Sequence, residues 1–110
     1  MARTGAGGLE RLGWHDSDGR PSVASVAARL RREGVEPYAW SNSPGDRYAG
    51  HEHGYTKLLM CAAGSITFLV GPEATPVEIR AGEGFILPAG TGHAAIVGPE
   101  GCTCLEGHRS

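Results

Sequence analysis

Two stretches decide the fold: GDRYAGHEHGYTKLLMCAAG at residues 45–64 and GEGFILPAGTGHAAIV at residues 82–97. In the first, His51 and His53 are separated by one residue, so on a strand both imidazoles would point to the same face. In the second, His93 follows a proline- and glycine-rich turn and opens a new strand, from which it could face the same interior. Three imidazoles at one point would form a half-open site for zinc, iron, copper or nickel. The His-x-His pattern by itself also fits a solvated strand edge.

Outward from these stretches, the chain after Pro37 reads as short strands and turns. Its 110 residues include 18 glycines and 7 prolines, spread along the sequence, and this favours a turn-rich β fold over a helical bundle. Near-regular spacing of the turns predicts seven or eight strands in a barrel or sandwich. The predicted strands are 38–41, one within 47–62, 65–70, 77–80, 85–88, 93–97 and 102–106, with turns at 63–64 and 98–101 between their neighbours.

One helix is predicted before the strands, near residues 22–33. Val23, Val26, Ala27 and Leu30 follow the spacing i, i+3, i+4, i+7 and give one apolar stripe. Residues 1–20 show no hydrophobic period and are predicted to be a weakly ordered lead, to which Trp14 could give an anchor. We therefore divide the chain into this lead and one domain, 21–110, with the helix packed outside the barrel.

The spacing within the first stretch resembles the first of the two cupin motifs. That motif is a glycine, five residues, His-x-His, three or four residues, a glutamate, six residues and a glycine. The matching positions here are Gly45, His51, His53 and Gly64, and the intervals between them agree. Lys57 stands where the family has its glutamate.

The second stretch resembles the second cupin motif: a glycine, five residues, Pro-x-Gly, two residues, a histidine, three residues and an asparagine. Gly82, Pro88, Gly90 and His93 match, and Val97 stands in the place of the asparagine. The two motifs cover roughly half of the chain, and together they are specific.

The resemblance implies an all-β double-stranded β-helix, that is, a jelly-roll or cupin barrel, with the one short N-terminal helix added to it. Members of this family are often homodimers, so the resemblance also implies a homodimer. It further implies a divalent metal ion, which could be iron, zinc, manganese, nickel or copper. Carried over position by position, the metal ligands would be His51, His53 and His93. The fourth family ligand has no counterpart, because Lys57 occupies its position.

Lys57 leaves four interpretations open. An ammonium repels a divalent cation, so the metal could be lost and a small-molecule-binding barrel remain. The site could be a three-histidine centre with Lys57 turned away or deprotonated, as in cupin dioxygenases with three-histidine iron. Lys57 could bind an anionic group of a substrate held at the metal. It could also be a lysine that extends to solvent from a barrel rim.

Composition limits the kinds of partner that this protein is expected to bind. The net charge of −2 offers no basic excess for nucleic acid or an anionic membrane, and no apolar run is long enough to span a bilayer. The three cysteines, Cys61, Cys102 and Cys104, suit a reducing, cytoplasmic setting, and are read as small core residues with accessory ligation as the alternative.

The expected partner is a small-molecule ligand or substrate. The sequence leaves open a metal-dependent oxygenase or isomerase acting on a small polar molecule, a non-catalytic ligand-binding or sensing barrel, and a structural partner in a larger assembly.

Overall fold

The computed structural model describes residues 9–109, which form one α-helix, one short 3-10 helix at Asp16–Asp18 and seven strands. The helix and strand bounds are α1 Val23–Arg32, β1 Glu10–Leu12, β2 Tyr38–Asn42, β3 Arg47–His51, β4 Thr56–Val70, β5 Thr75–Arg80, β6 Gly84–Leu87 and β7 His93–Arg109. Within residues 9–109, no helix is long and apolar enough to cross a membrane.

Two long strands, β4 and β7, organise the sheet. They pair with each other antiparallel along nearly their whole length. β4 also pairs with β6 and β5, and β7 with β2 and β3, so the strand order is β1-β6-β4-β7-β2 with β5 and β3 attached to β4 and β7. Each long strand pairs with the other and with two shorter strands at different points along its length. The sheet therefore wraps around an interior. The predicted all-β, double-stranded β-helix is confirmed.

The turns predicted at 63–64 and 98–101 are wrong, because both long strands continue through these positions. The pairing of β4 with β7 shifts register on either side of Gly64, which has φ 72°, and Gly101, next to the paired residue Cys102, has φ 77°. A side chain at Gly64 would lie 2.0 Å from the Gly101 carbonyl oxygen. Glycine is therefore required there for a β-bulge and a close backbone approach, not for a chain reversal.

The irregularities change which residues face inward. On β4, Leu59 and Cys61 belong to the interior core before the bulge, and Ile66 after it. On β7, Val97 faces inward before the irregular segment 98–101, and Cys102 faces inward after it. In both strands the inward positions pass from odd to even numbers, so the two halves keep their apolar sides inside the barrel.

Helix α1 forms where it was predicted. Ser22 caps its first turn by accepting a hydrogen bond from the backbone N–H of Ser25, and Gly34 beyond its last turn has φ 86°. Val26 and Leu30 are fully buried against an outer apolar cluster that includes Met60 of β4. The helix therefore packs on the outside of the barrel.

Residues 9–20 pack on the domain, whereas residues 1–8 of the lead lie outside the described residues. β1 pairs antiparallel with β6, opposing Glu10 to Ile86. Leu9 and Leu12 are buried, and Trp14 packs against the outer cluster. This part of the chain extends the sheet by one short strand.

The three cysteines lie in the interior core and are free thiols. Cys61 on β4 is directly opposite Cys104 on β7. Burial raises the pKa of the Cys102 thiol above its ordinary value. None of the three joins the histidine cluster described below, in keeping with the prediction that they are core residues.

Candidate metal centre

Strand pairing brings the three predicted histidines together at one end of the barrel. His51 ends β3 and lies directly opposite His93, the first residue of β7. β3 ends at His51, so His53 lies in the connection to β4. The shared face predicted from strand alternation is therefore not what brings these two side chains together. The convergence arises from the β3–β7 pairing and the backbone that follows it.

One ring nitrogen from each histidine lies within 4.8 Å of the others. The ring centroids are 4.4 Å apart for His51 and His93, 4.7 Å for His51 and His53, and 5.3 Å for His53 and His93. An ion at ~2.0–2.1 Å from three nitrogens would hold them about 3.4 Å apart in tetrahedral geometry. Small side-chain rotations would therefore close the site. His93 is buried and His51 is exposed, so one side of the cluster is open to solvent.

Backbone carbonyls set the orientation of two of the rings. Nδ1 of His51 lies 3.0 Å from the carbonyl oxygen of Ala49. Nδ1 of His93 lies 3.5 Å from that of Thr91, a longer contact. A ring that donates its Nδ1–H to a carbonyl presents its Nε2 lone pair to a metal.

Two of the histidines are held in the neutral form that metals require. Burial lowers the pKa of His93 to about 4, and the neighbouring charges of His51, Lys57 and His53 add to this effect. The pKa of His53 is also lowered, first by burial and then by the Lys57 ammonium. At neutral pH both rings are therefore uncharged.

Lys57 lies inside the barrel, only 7% exposed, which contradicts the interpretation as a rim lysine extending to solvent. Its Nζ is 3.2 Å from His53 Nε2 and 3.2 Å from Glu106 Oε2. The ammonium thus stands between a proposed metal ligand and a buried carboxylate. Binding of a cation at His53 Nε2 requires this ammonium to withdraw.

Glu106 is a charged pocket residue that lies outside both sequence motifs and was not predicted. It is 5% exposed, and its carboxylate accepts hydrogen bonds from Tyr38 Oη and Trp40 Nε1, each at 2.8 Å. Both donors come from β2, where Tyr38 pairs directly with Glu106. Burial together with this carboxylate raises the pKa of Tyr38 to about 12. The available signal was a lone charge in the apolar strand sequence Cys104-Leu105-Glu106.

A cavity of about 270 Å³ adjoins the histidines and opens to solvent. Its walls combine the three imidazoles and the Lys57–Glu106 pair with aromatic and apolar side chains. These aromatic and apolar residues are Tyr38, Trp40, Tyr48, Tyr55, Leu59, Phe68 and Ala95. Tyr38, Trp40 and Tyr55 line this cavity, whereas Phe85 lies in the interior core.

The donor set fits a divalent transition metal. Three imidazoles with one open side match the ligand count of sites that keep a position for water or substrate. His51 and His93 have ring orientations that suit this role, and the open side meets the cavity. Lys57 is the one feature that opposes the fit, because it contacts the third ligand.

The chain matches no family model, and no curated protein sequence matches it. Solved structures do. A double-stranded β-helix protein from Klebsiella pneumoniae has a TM-score of 0.58 at 23% identity, covering 66% of this chain and 64% of that one. An RmlC-like cupin from Shewanella frigidimarina gives 0.59 at 18%, covering 67% and 64%. The DMSP lyase DddQ from Ruegeria pomeroyi gives 0.62 at 22%, covering 69% and 38%.

The match therefore spans less than two thirds of each of these three chains. At such identities the likeness shows the fold, and it agrees with the two sequence motifs and with the strand order described above. The chain is a small protein of the cupin fold.

Proposed function

We propose that this protein binds one divalent transition-metal ion through His51, His53 and His93 and takes a small polar molecule into the adjoining cavity. The observation that carries the proposal is the convergence of three imidazole nitrogens within 4.8 Å at the wall of that cavity. A metal ion is a single group that all three imidazole nitrogens could bind at once.

The proposal includes a metal-dependent activity of the oxygenase or isomerase type. When bound, the ion would supply Lewis acidity to a substrate oxygen. The protein's own part is to hold the substrate: the apolar wall formed by Leu59, Phe68 and Ala95 excludes water, and the aromatic wall orients the molecule. The fold neighbours include a lyase, which supports an enzyme but assigns no substrate at 22% identity.

A second candidate function is a non-catalytic ligand-binding barrel without metal. The observation in its favour is the 3.2 Å contact between Lys57 Nζ and His53 Nε2, which puts a cation of the protein itself at one metal-ligand position. In this case the aromatic cavity alone would bind the ligand.

Metal content separates the two functions. Protein purified without added metal is analysed for elements and titrated with iron(II) and zinc(II) by calorimetry. We expect one equivalent per chain, with at least tenfold weaker binding in His51→Ala, His53→Ala and His93→Ala. His15→Ala is the matched control, because His15 is exposed and outside the cluster.

Iron, manganese or nickel as the resident metal would support the enzyme, whereas zinc would fit either function, since zinc binds readily to histidine sites. Wild-type protein that takes up none of these metals would refute the metal centre and support the binding barrel.

We further propose a cytoplasmic homodimer that binds no nucleic acid and no membrane. The free thiols of the three core cysteines support a reducing compartment. The net charge of −2 supports the absence of polyanionic partners.

A further inference from the structure

The Lys57 ammonium is the main electrostatic obstacle to the proposed metal centre. It is buried on β4 and contacts His53 Nε2 at 3.2 Å, so it shares this nitrogen's lone pair with any ion that enters. A cation beside an unpaired ammonium in a buried site is repelled strongly, because little water screens the two charges.

Glu106 supplies the opposite charge from the facing strand. Its Oε2 lies 3.2 Å from Lys57 Nζ, the same distance as His53 Nε2 on the other side. Lys57 therefore stands midway between two acceptors, one that a metal would take over and one that it would not.

The carboxylate itself is fixed in place. Tyr38 Oη donates to Oε2 and Trp40 Nε1 donates to Oε1, both at 2.8 Å. Both donors belong to β2, which pairs with β7 in a continuous register from Tyr38 to Asn42. Glu106 can therefore hold the ammonium without following it, since its own position is set by two further bonds.

We propose that Glu106 is a positioning residue for the metal centre: it neutralises Lys57 and draws its ammonium away from His53, leaving His53 Nε2 to the metal. The inference rests on the three-histidine site proposed above and deepens it. The carboxylate that the first cupin motif provides at position 57 is here relocated to β7, where it acts through Lys57 and not as a ligand.

A double-mutant cycle tests this role. Wild type, Glu106→Gln, Lys57→Met and the double variant are titrated with zinc(II) and cobalt(II) by calorimetry, with cobalt absorption as a second measure of histidine ligation. We expect Glu106→Gln to weaken binding at least tenfold, equivalent to ~1.4 kcal/mol. The loss should be at least ten times larger with Lys57 present than in the Lys57→Met background. Glu73→Gln, the same charge change on an exposed turn, should leave affinity unchanged.

A purely structural role for Glu106 would give a different pattern. Unfolding measured with a chelator present would then show the loss of stability, and metal affinity would fall equally in both backgrounds. If Glu106→Gln does not fold, the double variant still decides, because it has neither buried charge. It is expected to bind at least as tightly as wild type, and tenfold weaker binding would overturn the inference.

The failures of the two proposals are distinguishable. Wild type that binds metal with the same affinity as Glu106→Gln overturns the role of Glu106 and leaves the metal centre standing. Wild type that binds neither metal overturns the metal centre and the inference together.

Discussion

Lys57 is the residue at which this chain departs most from the first cupin motif, and Lys57→Glu would restore the family's carboxylate. The new oxygen ligand and the lost positive charge should both strengthen metal binding. A unit charge change at ~4 Å is worth ~1–4 kcal/mol, so we expect roughly tenfold or tighter binding by calorimetry. Lys57→Ala, the control, should give only the part due to charge.

The same substitution should weaken the metal-free protein. Lys57→Glu would bring a second carboxylate near Glu106, which now pairs with Lys57 at 3.2 Å. Two buried like charges repel, so with a chelator present Lys57→Glu should melt at a lower temperature than wild type. Its melting temperature should rise again when metal is added. Equal metal affinity in wild type and both Lys57 variants would mean that position 57 does not act on the metal.

His93 predicts how the stability of the metal-free protein depends on pH. Burial lowers the pKa of His93 to about 4, below the ~6.5 of an unfolded histidine. Between these values the unfolded chain binds more protons, so stability is fully present above pH ~6.5 and is lost as the pH falls towards 4. The loss should be on the order of 3 kcal/mol, measured by urea unfolding with a chelator at pH 7 and pH 4.5. His93→Phe should flatten this dependence, and an unchanged slope in that variant would contradict the assignment.

At the residue scale, the sequence predicted the three histidines of the site, which belong to the motifs, and did not indicate Glu106, which lies outside them. His51, His53 and His93 were found because their spacing matches a known pattern. Glu106 was missed because its partners, Lys57 and Tyr38, are 49 and 68 residues away, and only the strand register brings them together. Sequence spacing contains no direct record of such a contact.

At the element scale, the helix and most strand positions were predicted, but each of the two long strands was predicted as two shorter ones. Ala63-Gly64 and the segment 98–101 contain typical turn residues, and they bend strands in place of ending them. A glycine with positive φ serves a turn and a bulge equally well, so the sequence does not distinguish the two. The strand β1 was not predicted, because three residues are too few to show a period.

The bulge at Gly64 makes a sharp stability prediction. In Gly64→Ala, the new methyl group would lie 2.0 Å from the Gly101 carbonyl oxygen, in addition to the strain of φ 72°. Gly71→Ala is the matched control, since Gly71 has φ 78° but open space around it. We expect a loss of ~1–2 kcal/mol for Gly71→Ala from strain alone, and about 3 kcal/mol or more for Gly64→Ala, by urea unfolding. Equal losses would show that the close approach does not matter.

At the scale of the whole molecule, the exposed strand edges favour association. Among residues 9–109, β2 ends the path of paired strands, and it has exposed residues on either side of Trp40. Covering such an edge with a second copy removes unpaired backbone groups from solvent. We therefore expect a homodimer, and light scattering at micromolar concentration should give twice the mass of one chain. The mass of a single chain would reject this prediction.

In β7 the inward-facing positions switch from odd to even numbers at 98–101, and this has a consequence for how such a protein can change in length over evolution. His93 and Glu106 are 13 residues apart, an odd number, and yet both face the cavity, because β7 takes five residues from Val97 to Cys102 where the paired β4 takes two, from Ile66 to Gly64. Deleting one residue there would turn Glu106 outward and Leu105 inward, so the two halves of the site would no longer meet. Gaps in an alignment of relatives should therefore fall in the exposed turn at 71–74 and avoid 98–101: a single codon lost from the bend would dismantle the site without touching any residue in it.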